Sequence, residues 1–187
     1  MRDPRTYPFA VIDVETTGLD PERERICEAG AIRFEDCRET GRYHSLVRPD
    51  RPVPDEAIAL HGINNDMLRD APPFARIAAD LRRFLAGTIL VAQNAEFDVS
   101  FLDAEFLRAG MTRLTNKAID TIALARRVLP NLGSYNLDRL AREFKVEVRE
   151  RHRSLGDCEV TAGIFWKCVE ALRPADDKAL VRMGTRK

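Results

Sequence analysis

The sequence predicts an α/β fold in which a central mixed β-sheet lies between helices. FAVIDVET (9–16) is a near-continuous apolar run with β-branched residues, which indicates a buried strand. PPFARIAADLRRFLAG (72–87) instead places its apolar residues on one face of a helix. The predicted order of three strands, a helix, a strand and then mostly helices is typical of layered α/β proteins.

The first half of the chain contains a predicted hairpin. After a polar turn, residues 26–36 and 41–49 form two strands joined by a short polar connection. A proline-rich loop follows, and then come short helical pieces for which Asn64 or Asn65 is the expected N-cap.

The amphipathic helix at 72–87 begins at a proline pair and ends at Gly87. The apolar residues of its predicted buried face are Phe74, Ile77, Ala78, Leu81 and Leu85. Residues 88–93 then read as a strand, TILVAQ.

Helices dominate the second half of the chain. Asn94 is expected to cap a helix that runs to about Arg108. The further predicted elements are a short strand at 117–120, a helix that stops before Pro130, a helix at 136–144 and a last helix from Leu155 to about Leu172. We expect residues 1–172 to form one domain, and residues 173–187 to be a short tail made of a frayed helix end or a linker.

Composition excludes some classes of protein. Lysine plus arginine and aspartate plus glutamate balance at 30 each, so no strong field favours a nucleic-acid coat or a membrane surface. No apolar run approaches the ~18 residues of a membrane span, so no membrane partner is expected. The four cysteines form no CxxC pair, which argues against zinc and favours a reduced, cytoplasmic protein.

Two acids end the first predicted strand. Asp13 and Glu15 are two residues apart, so their side chains point to the same face, with Cα atoms roughly 6.6 Å apart. Carboxylates held at this spacing suit Mg²⁺ or Mn²⁺. The alternative is that both acids lie beyond the end of the strand, in solvent.

Two further acids and a histidine follow. Asp98 falls in the first turn of a predicted helix, where an acid also favours the helix dipole. In HRSLGDC (152–158), Ser154 and Asp157 have the spacing of a capping box, so Asp157 has a purely structural explanation as well. His152 lies in the preceding charged loop, and it is either functional or simply exposed.

Together these segments resemble the three motifs of the DEDDh family of 3′–5′ exonucleases. The matching segments are Asp13-x-Glu15 followed by TTGL, the NAEFD segment ending at Asp98, and His152 with Asp157 five residues later. ICEAGAI, LHGIN, IDTIALAR and YNLDRLAREF add weaker similarity, so the resemblance covers about residues 8–170. Within the family, the sequence looks most like the proofreading epsilon type of bacterial DNA polymerase III. The resemblance implies an RNase H-like three-layer fold.

The resemblance also implies a two-metal phosphodiester hydrolase. Its cofactors would be two Mg²⁺ or Mn²⁺ ions, one at each oxygen of an in-line displacement. Asp13 would bridge the ions, Glu15 and Asp157 would complete the site of the nucleophilic water, and Asp98 would reach the second ion. His152 would be the general base, since an imidazole can accept a proton near neutral pH. The arginines on either side of it, Arg149, Arg151 and Arg153, are expected to favour its neutral form and to attract phosphates.

The resemblance further implies how a chain end is bound. Backbone near Thr16 and Thr17 would contact the terminal 3′ hydroxyl together with Glu15. Leu19, His61 and Phe97 would pack on the last bases, and stacking of this kind tolerates any base.

The expected function is removal of 5′-mononucleotides from DNA 3′ ends in replication proofreading or repair. The expected partners are a single-stranded or frayed DNA 3′ end and, as a candidate, a DNA polymerase catalytic subunit. Two alternatives stay open: an RNA 3′-end exonuclease similar to RNase T or oligoribonuclease, and a non-catalytic nucleic-acid-binding module on the same fold. A non-catalytic member should have lost some of its acids, whereas this chain keeps all four and the histidine.

Overall fold

The computed structural model describes residues 6–185 and consists of one five-stranded sheet with helices on both faces. The strands are β1 (Phe9–Thr16), β2 (Ile26–Glu35), β3 (Arg38–Leu46), β4 (Ile89–Ala92) and β5 (Ala118–Asp120). The helices are α1 (Asp55–His61), α2 (Asn65–Leu68), α3 (Phe74–Leu85), α4 (Ala95–Arg108), α5 (Thr121–Val128), α6 (Leu137–Phe144), α7 (Ser154–Leu172) and α8 (Asp177–Gly184).

The sheet is mixed, with the strand order β3-β2-β1-β4-β5. β1 pairs antiparallel with β2 and parallel with β4, and β4 pairs parallel with β5. The carboxyl ends of β1, β4 and β5 therefore meet at one edge. This architecture confirms the predicted α/β fold with its mixed central sheet.

The alternating side chains of β1 enter two separate cores. Phe9 and Val11 pack in a cluster with residues of α5, α6, α7 and α8. Ala10, Ile12 and Val14 pack on the other face, against α3 and α4. The result is three layers, and the next odd-numbered residue, Asp13, belongs to the face that α7 covers.

The hairpin between β2 and β3 is tighter than the sequence indicated. Asp36 and Cys37 form its turn, both with left-handed backbone (φ 49° and 60°), which matches the twist of the flanking strands. β3 therefore begins at Arg38, ahead of the predicted 41. Gly41 lies inside the strand, where an added Cβ would approach the Phe84 ring to 3.3 Å.

The helix predictions agree closely with the structure. The five residues predicted for the apolar face of α3 are all buried, and Gly87 follows its end with a φ of 72°. Asn64 caps α2 by accepting a hydrogen bond from the Met67 N–H at 3.0 Å.

Two predicted caps differ from the structure. Asn94 occupies the N-cap of α4 with a φ of 63°, but its side chain makes no capping hydrogen bond. The prediction for Ser154 was wrong, because Arg153 is the N-cap residue of α7 and Ser154 lies in the first turn.

The chain after residue 172 is more ordered than predicted. α8 is capped by Asp176, whose carboxylate accepts the Ala179 N–H at 2.7 Å, and its Leu180 is fully buried. The prediction of a frayed end or linker was therefore wrong for these residues. Residues 1–5 of the predicted domain and 186–187 of the predicted tail lie outside the described residues. Among the helices of the described part, none has the length and apolarity required to cross a membrane.

Candidate active site

Three carboxylates converge at the carboxyl end of β1. Asp13 and Glu15 project from the strand, and Asp157 projects from the first turns of α7. One oxygen from each lies within 4.8 Å of the other two. Glu15 and Asp157 are buried, and Asp13 is partly exposed. The predicted same-face arrangement of Asp13 and Glu15 thus holds, and α7 adds the third acid because it packs on that face.

Asp98 lies beside this cluster without joining it. β1 and β4 are parallel, so the helix that follows β4 places Asp98 in its first turn at the same sheet edge. Its Oδ1 accepts the backbone N–H of Val14 at 3.0 Å. The structure therefore brings the four predicted acids to one place, with Asp98 bound to the β1 backbone.

The acids repel one another in a poorly solvated place. Burial, together with the charges of Asp98, Glu15 and Asp157, raises the pKa of Asp13 well above its ordinary value. Burial and then the charge of Asp157 raise the pKa of Glu15 to about 8. Such groups require either protons or a cation in order to coexist.

The donor set fits a hard divalent cation. The clustered atoms are carboxylate oxygens, which Mg²⁺ and Mn²⁺ prefer, whereas zinc favours sulfur and imidazole ligands. Cys27 and Cys158 are buried nearby, but burial raises the pKa of both thiols, which disfavours the thiolate that a metal would bind.

His152 lies in the loop before α7 with an unusual backbone. Its φ of 58° is left-handed, and its N–H approaches Asp157 Oδ1 at 3.3 Å. On one side of it, Arg151 forms ion pairs with Asp157 and Asp138. On the other side, Arg153 binds Glu28.

The arginines that flank His152 are less available to a ligand than expected. Two of the three guanidinium groups that were expected to attract phosphates are held by carboxylates of the protein itself. Arg149 pairs at 3.1 Å with the exposed Glu147, a contact that solvent screens strongly.

The loop after β1, residues 18–24, presents an apolar side chain to solvent. Leu19 is 83% exposed. Thr16 and Thr17 precede it and are buried, and the Thr17 hydroxyl donates to Glu24 Oε2 at 2.6 Å. The backbone near both threonines is therefore fixed from within the protein, and Leu19 is free to contact a ligand.

Helix α4 anchors this loop. The Arg108 guanidinium donates to the carbonyls of Pro21 (2.6 Å), Glu22 (2.8 Å) and Glu24 (3.3 Å). One turn earlier, the buried Glu105 binds Arg25 through two hydrogen bonds of 2.6 and 2.9 Å.

The two remaining predicted residues differ in exposure. His61 is only 4% exposed; its Nδ1 accepts the Ile63 N–H at 3.1 Å, and its Nε2 faces the Thr16 carbonyl at 3.3 Å. Burial lowers its pKa, which favours the neutral ring. Phe97 is partly buried and packs on Phe101, with ring centroids 4.8 Å apart. Their packing on DNA bases stays a prediction.

Sequence reasoning missed Glu28, Glu105 and Arg108. Glu28 did carry a signal, since it interrupts the apolar run ICEAGAI of a buried strand. Glu105 and Arg108 carried none, because charged residues are ordinary on a helix and their partners are about 80 residues away.

Comparison with known proteins places this arrangement in a family. Residues 10–165 match the family model described as Exonuclease. The DNA polymerase III subunit epsilon of Treponema pallidum is 41% identical over 159 residues, covering 84% of this chain and 74% of that protein. The PolC-type DNA polymerase III of Oceanobacillus iheyensis is 36% identical over 164 residues, and this chain spans only 12% of its length.

Solved structures agree with the fold. Exonuclease X in complex with 5′ overhanging duplex DNA has a TM-score of 0.75 and 27% identity, covering 95% of this chain and 99% of that one. E. coli exonuclease I in complex with a dA16 oligonucleotide has a TM-score of 0.77 and 21% identity, covering 88% of this chain and 41% of that one, which supports the fold alone. Since the family model spans most of the sequence and a relative at 41% identity matches along most of both chains, the chain belongs to the exonuclease family.

Proposed function

We propose that this protein is a divalent-metal-dependent 3′–5′ exonuclease that removes 5′-mononucleotides from DNA ends in proofreading or repair. The observation that carries the proposal is the convergence of Asp13, Glu15 and Asp157 within 4.8 Å, beside Asp98, in a member of the exonuclease family. A binding module would gain nothing from holding repelling carboxylates together at a cost in stability.

Asp13, Glu15 and Asp157 would hold one Mg²⁺ or Mn²⁺ ion, and Asp13 with Asp98 would hold a second. Such a pair lowers the pKa of a water and stabilises the charge on the leaving oxygen. Asp98 would have to share its carboxylate between this role and the Val14 N–H, which its second oxygen permits.

The remaining roles belong to side chains around the acids. His152 accepts the proton of the attacking water and passes it to solvent, which its partly exposed position allows. Thr16 and Thr17 present backbone groups to the terminal nucleotide, and Leu19 packs on the last base. His61 Nε2 binds the Thr16 carbonyl at 3.3 Å, and the partly exposed Phe97 packs on the last bases.

The relatives favour DNA as substrate and a polymerase as partner. One is named as a subunit of DNA polymerase III, and in another the matching segment is about an eighth of a PolC-type polymerase. We therefore propose that a DNA polymerase catalytic subunit delivers frayed 3′ ends to this site in the bacterial cytoplasm.

Product analysis tests the function. The substrates are end-labelled single-stranded DNA, duplex with a mispaired 3′ end, matched duplex, RNA of the same sequence, and circular single-stranded DNA. We expect 5′-mononucleotides from the 3′ end, faster from frayed than from paired ends because the terminal bases must unstack, and no product in excess chelator. Efficient cleavage of the circle, or undiminished activity in chelator, would overturn the proposal. Faster degradation of RNA than of DNA would reassign the substrate.

A further inference from the structure

Glu28 is a fifth acid at the site, and none of the roles above uses it. It lies in β2 directly opposite Glu15 and is fully buried. Its Oε1 receives the Arg153 guanidinium, at 3.0 Å from Nε and 2.6 Å from Nη2, and faces His44 Nε2 at 2.8 Å. Its Oε2 accepts the backbone N–H of Ser154 at 2.7 Å.

These contacts exclude Glu28 from the metal-ligand set. Both oxygens are already engaged by donors, and no oxygen of Glu28 belongs to the group formed by Asp13, Glu15 and Asp157. Burial raises its pKa, but the hydrogen bonds from Arg153, His44 and Ser154 outweigh burial and hold the pKa below its ordinary value. Glu28 is therefore a fixed anion with structural partners.

Two of the groups that Glu28 binds, Arg153 and the Ser154 N–H, immediately follow His152. His152 has a left-handed backbone, which is unfavourable for a residue other than glycine and persists only where its surroundings enforce it. Arg151 is tied to Asp157 and Asp138 on one side of His152, and Glu28 ties down Arg153 and Ser154 on the other.

The packing beneath this loop is equally close. An added Cβ at Gly30, two residues after Glu28 on β2, would lie 2.7 Å from Ser154 Oγ. The start of α7 therefore rests directly on β2, and a shift at Glu28 would be transmitted to the loop and not absorbed by a gap.

We propose that Glu28 is a positioning residue for His152: its buried carboxylate fixes Arg153 and the Ser154 N–H, and thereby the backbone that carries the imidazole. The proposal rests on the proposed function of His152 as general base. Glu28 itself touches neither the substrate nor the reacting atoms.

A double-mutant cycle tests the proposal. Glu28→Gln keeps the side-chain shape but removes the charge that holds Arg153. We expect kcat to fall roughly 10–100-fold, the scale of a misplaced catalytic group, with KM and Mn²⁺ affinity little changed. In a His152→Ala background the same substitution should have no further effect on kcat, because the group that it positions is already gone.

A second readout does not depend on nuclease activity. Arg151 and Arg153 are trypsin sites within the loop, so Glu28→Gln should speed cleavage there, as followed by fragment masses. Arg153→Lys keeps the positive charge but loses the two-pronged contact. Its effect on kcat should likewise disappear in a His152→Ala background. It replaces Glu28→Gln in the double-mutant cycle if that variant folds poorly.

Glu105→Gln is the matched control. Glu105 is likewise buried and binds an arginine through two hydrogen bonds, but its partner Arg25 contacts Asp50 and Thr17, which do not belong to the His152 loop. Its effect on kcat should therefore be additive with His152→Ala, and it should leave trypsin cleavage of the loop unchanged.

The possible failures are distinguishable. A large effect of His152→Ala combined with an additive loss from Glu28→Gln would overturn the positioning role alone, as would a fall in Mn²⁺ affinity in Glu28→Gln. A silent His152→Ala in an otherwise active enzyme would overturn the assignment of the base, and the positioning proposal with it.

Discussion

Metal-free protein should lose stability as the pH rises, because Glu15 ionises at a cost in the folded chain. Burial and the charge of Asp157 raise the pKa of Glu15 from 4.5 to about 8. Between these values the folded protein binds more protons than the unfolded chain, so the free energy of unfolding falls with increasing pH. The cost is absent below pH 4.5 and fully present above about pH 8.

The pKa shift sets the size of the effect. At about 1.36 kcal/mol per pKa unit, it amounts to about 5 kcal/mol, an upper limit because side chains rearrange as the charge develops. Losses of this size are a large fraction of the ~5–15 kcal/mol that stabilises a typical domain. Binding of Mn²⁺ should restore the lost stability, since the ion binds the folded chain and neutralises the carboxylate cluster.

Chemical denaturation in excess chelator, at several pH values between 4.5 and 8, measures this dependence. Glu15→Gln should make the slope shallower, because one titrating group is gone, while Asp13, whose pKa is also raised, keeps part of it. Glu170→Gln is the control: this side chain is 77% exposed near the end of α7, and its removal should leave the slope unchanged. A Glu15→Gln variant with the same slope as wild type would refute the reasoning.

Further substitutions separate the roles at the site. His152→Ala should lower kcat by roughly 10²–10⁴-fold, the range of general acid–base catalysis, with Mn²⁺ affinity by calorimetry unchanged; near-wild-type turnover would contradict its role as base. Asp157→Ala should lose activity and Mn²⁺ affinity together, and retained affinity would remove it from the ligand set. Asp13→Asn should raise the Tm of the metal-free protein in excess chelator by relieving repulsion between the carboxylates. An unchanged Tm in thermal scans would count against a repulsive carboxylate cluster. Arg108→Ala should raise KM for single-stranded DNA roughly 10-fold with little change in kcat, because loop 18–24 loses charged hydrogen bonds worth about 1.5–3 kcal/mol each. Steady-state kinetics would contradict this last expectation if kcat fell at constant KM.

The sequence alone was sufficient to predict a structural feature where the underlying pattern is local. The alternation of β1 could be read directly, because each side chain contributes to one of two faces, and it placed Asp13 and Glu15 together. The apolar face of α3 could be read for the same reason, since helical spacing is a local property. The family motifs then predicted that Asp98 and Asp157 lie at the same sheet edge.

Prediction failed where the outcome depends on distant partners, or where an element is too short or too unusual in sequence to carry a local signal. Whether Ser154 caps α7 or packs inside it depends on Glu28 and Gly30, which lie more than 120 residues earlier in the chain. The start of β3 depends on a two-residue turn that carries no glycine or asparagine to mark it. α8 has only eight residues, and it packs through Leu180, Gly184 and the partly buried Val181 and Met183, which is too short a stretch for a periodicity to appear.

Helix α4 has a length requirement that its composition does not reveal. Asp98 near its start binds the β1 backbone, and Glu105 binds Arg25 seven residues later, on the same side and about 10 Å further along. A single inserted residue between them would rotate one carboxylate by about 100° relative to the other and detach either Asp98 from β1 or the loop that carries Leu19. Exposed positions of α4 can therefore vary freely while the number of residues between Asp98 and Glu105 cannot, so insertions and deletions should be far less tolerated here than substitutions.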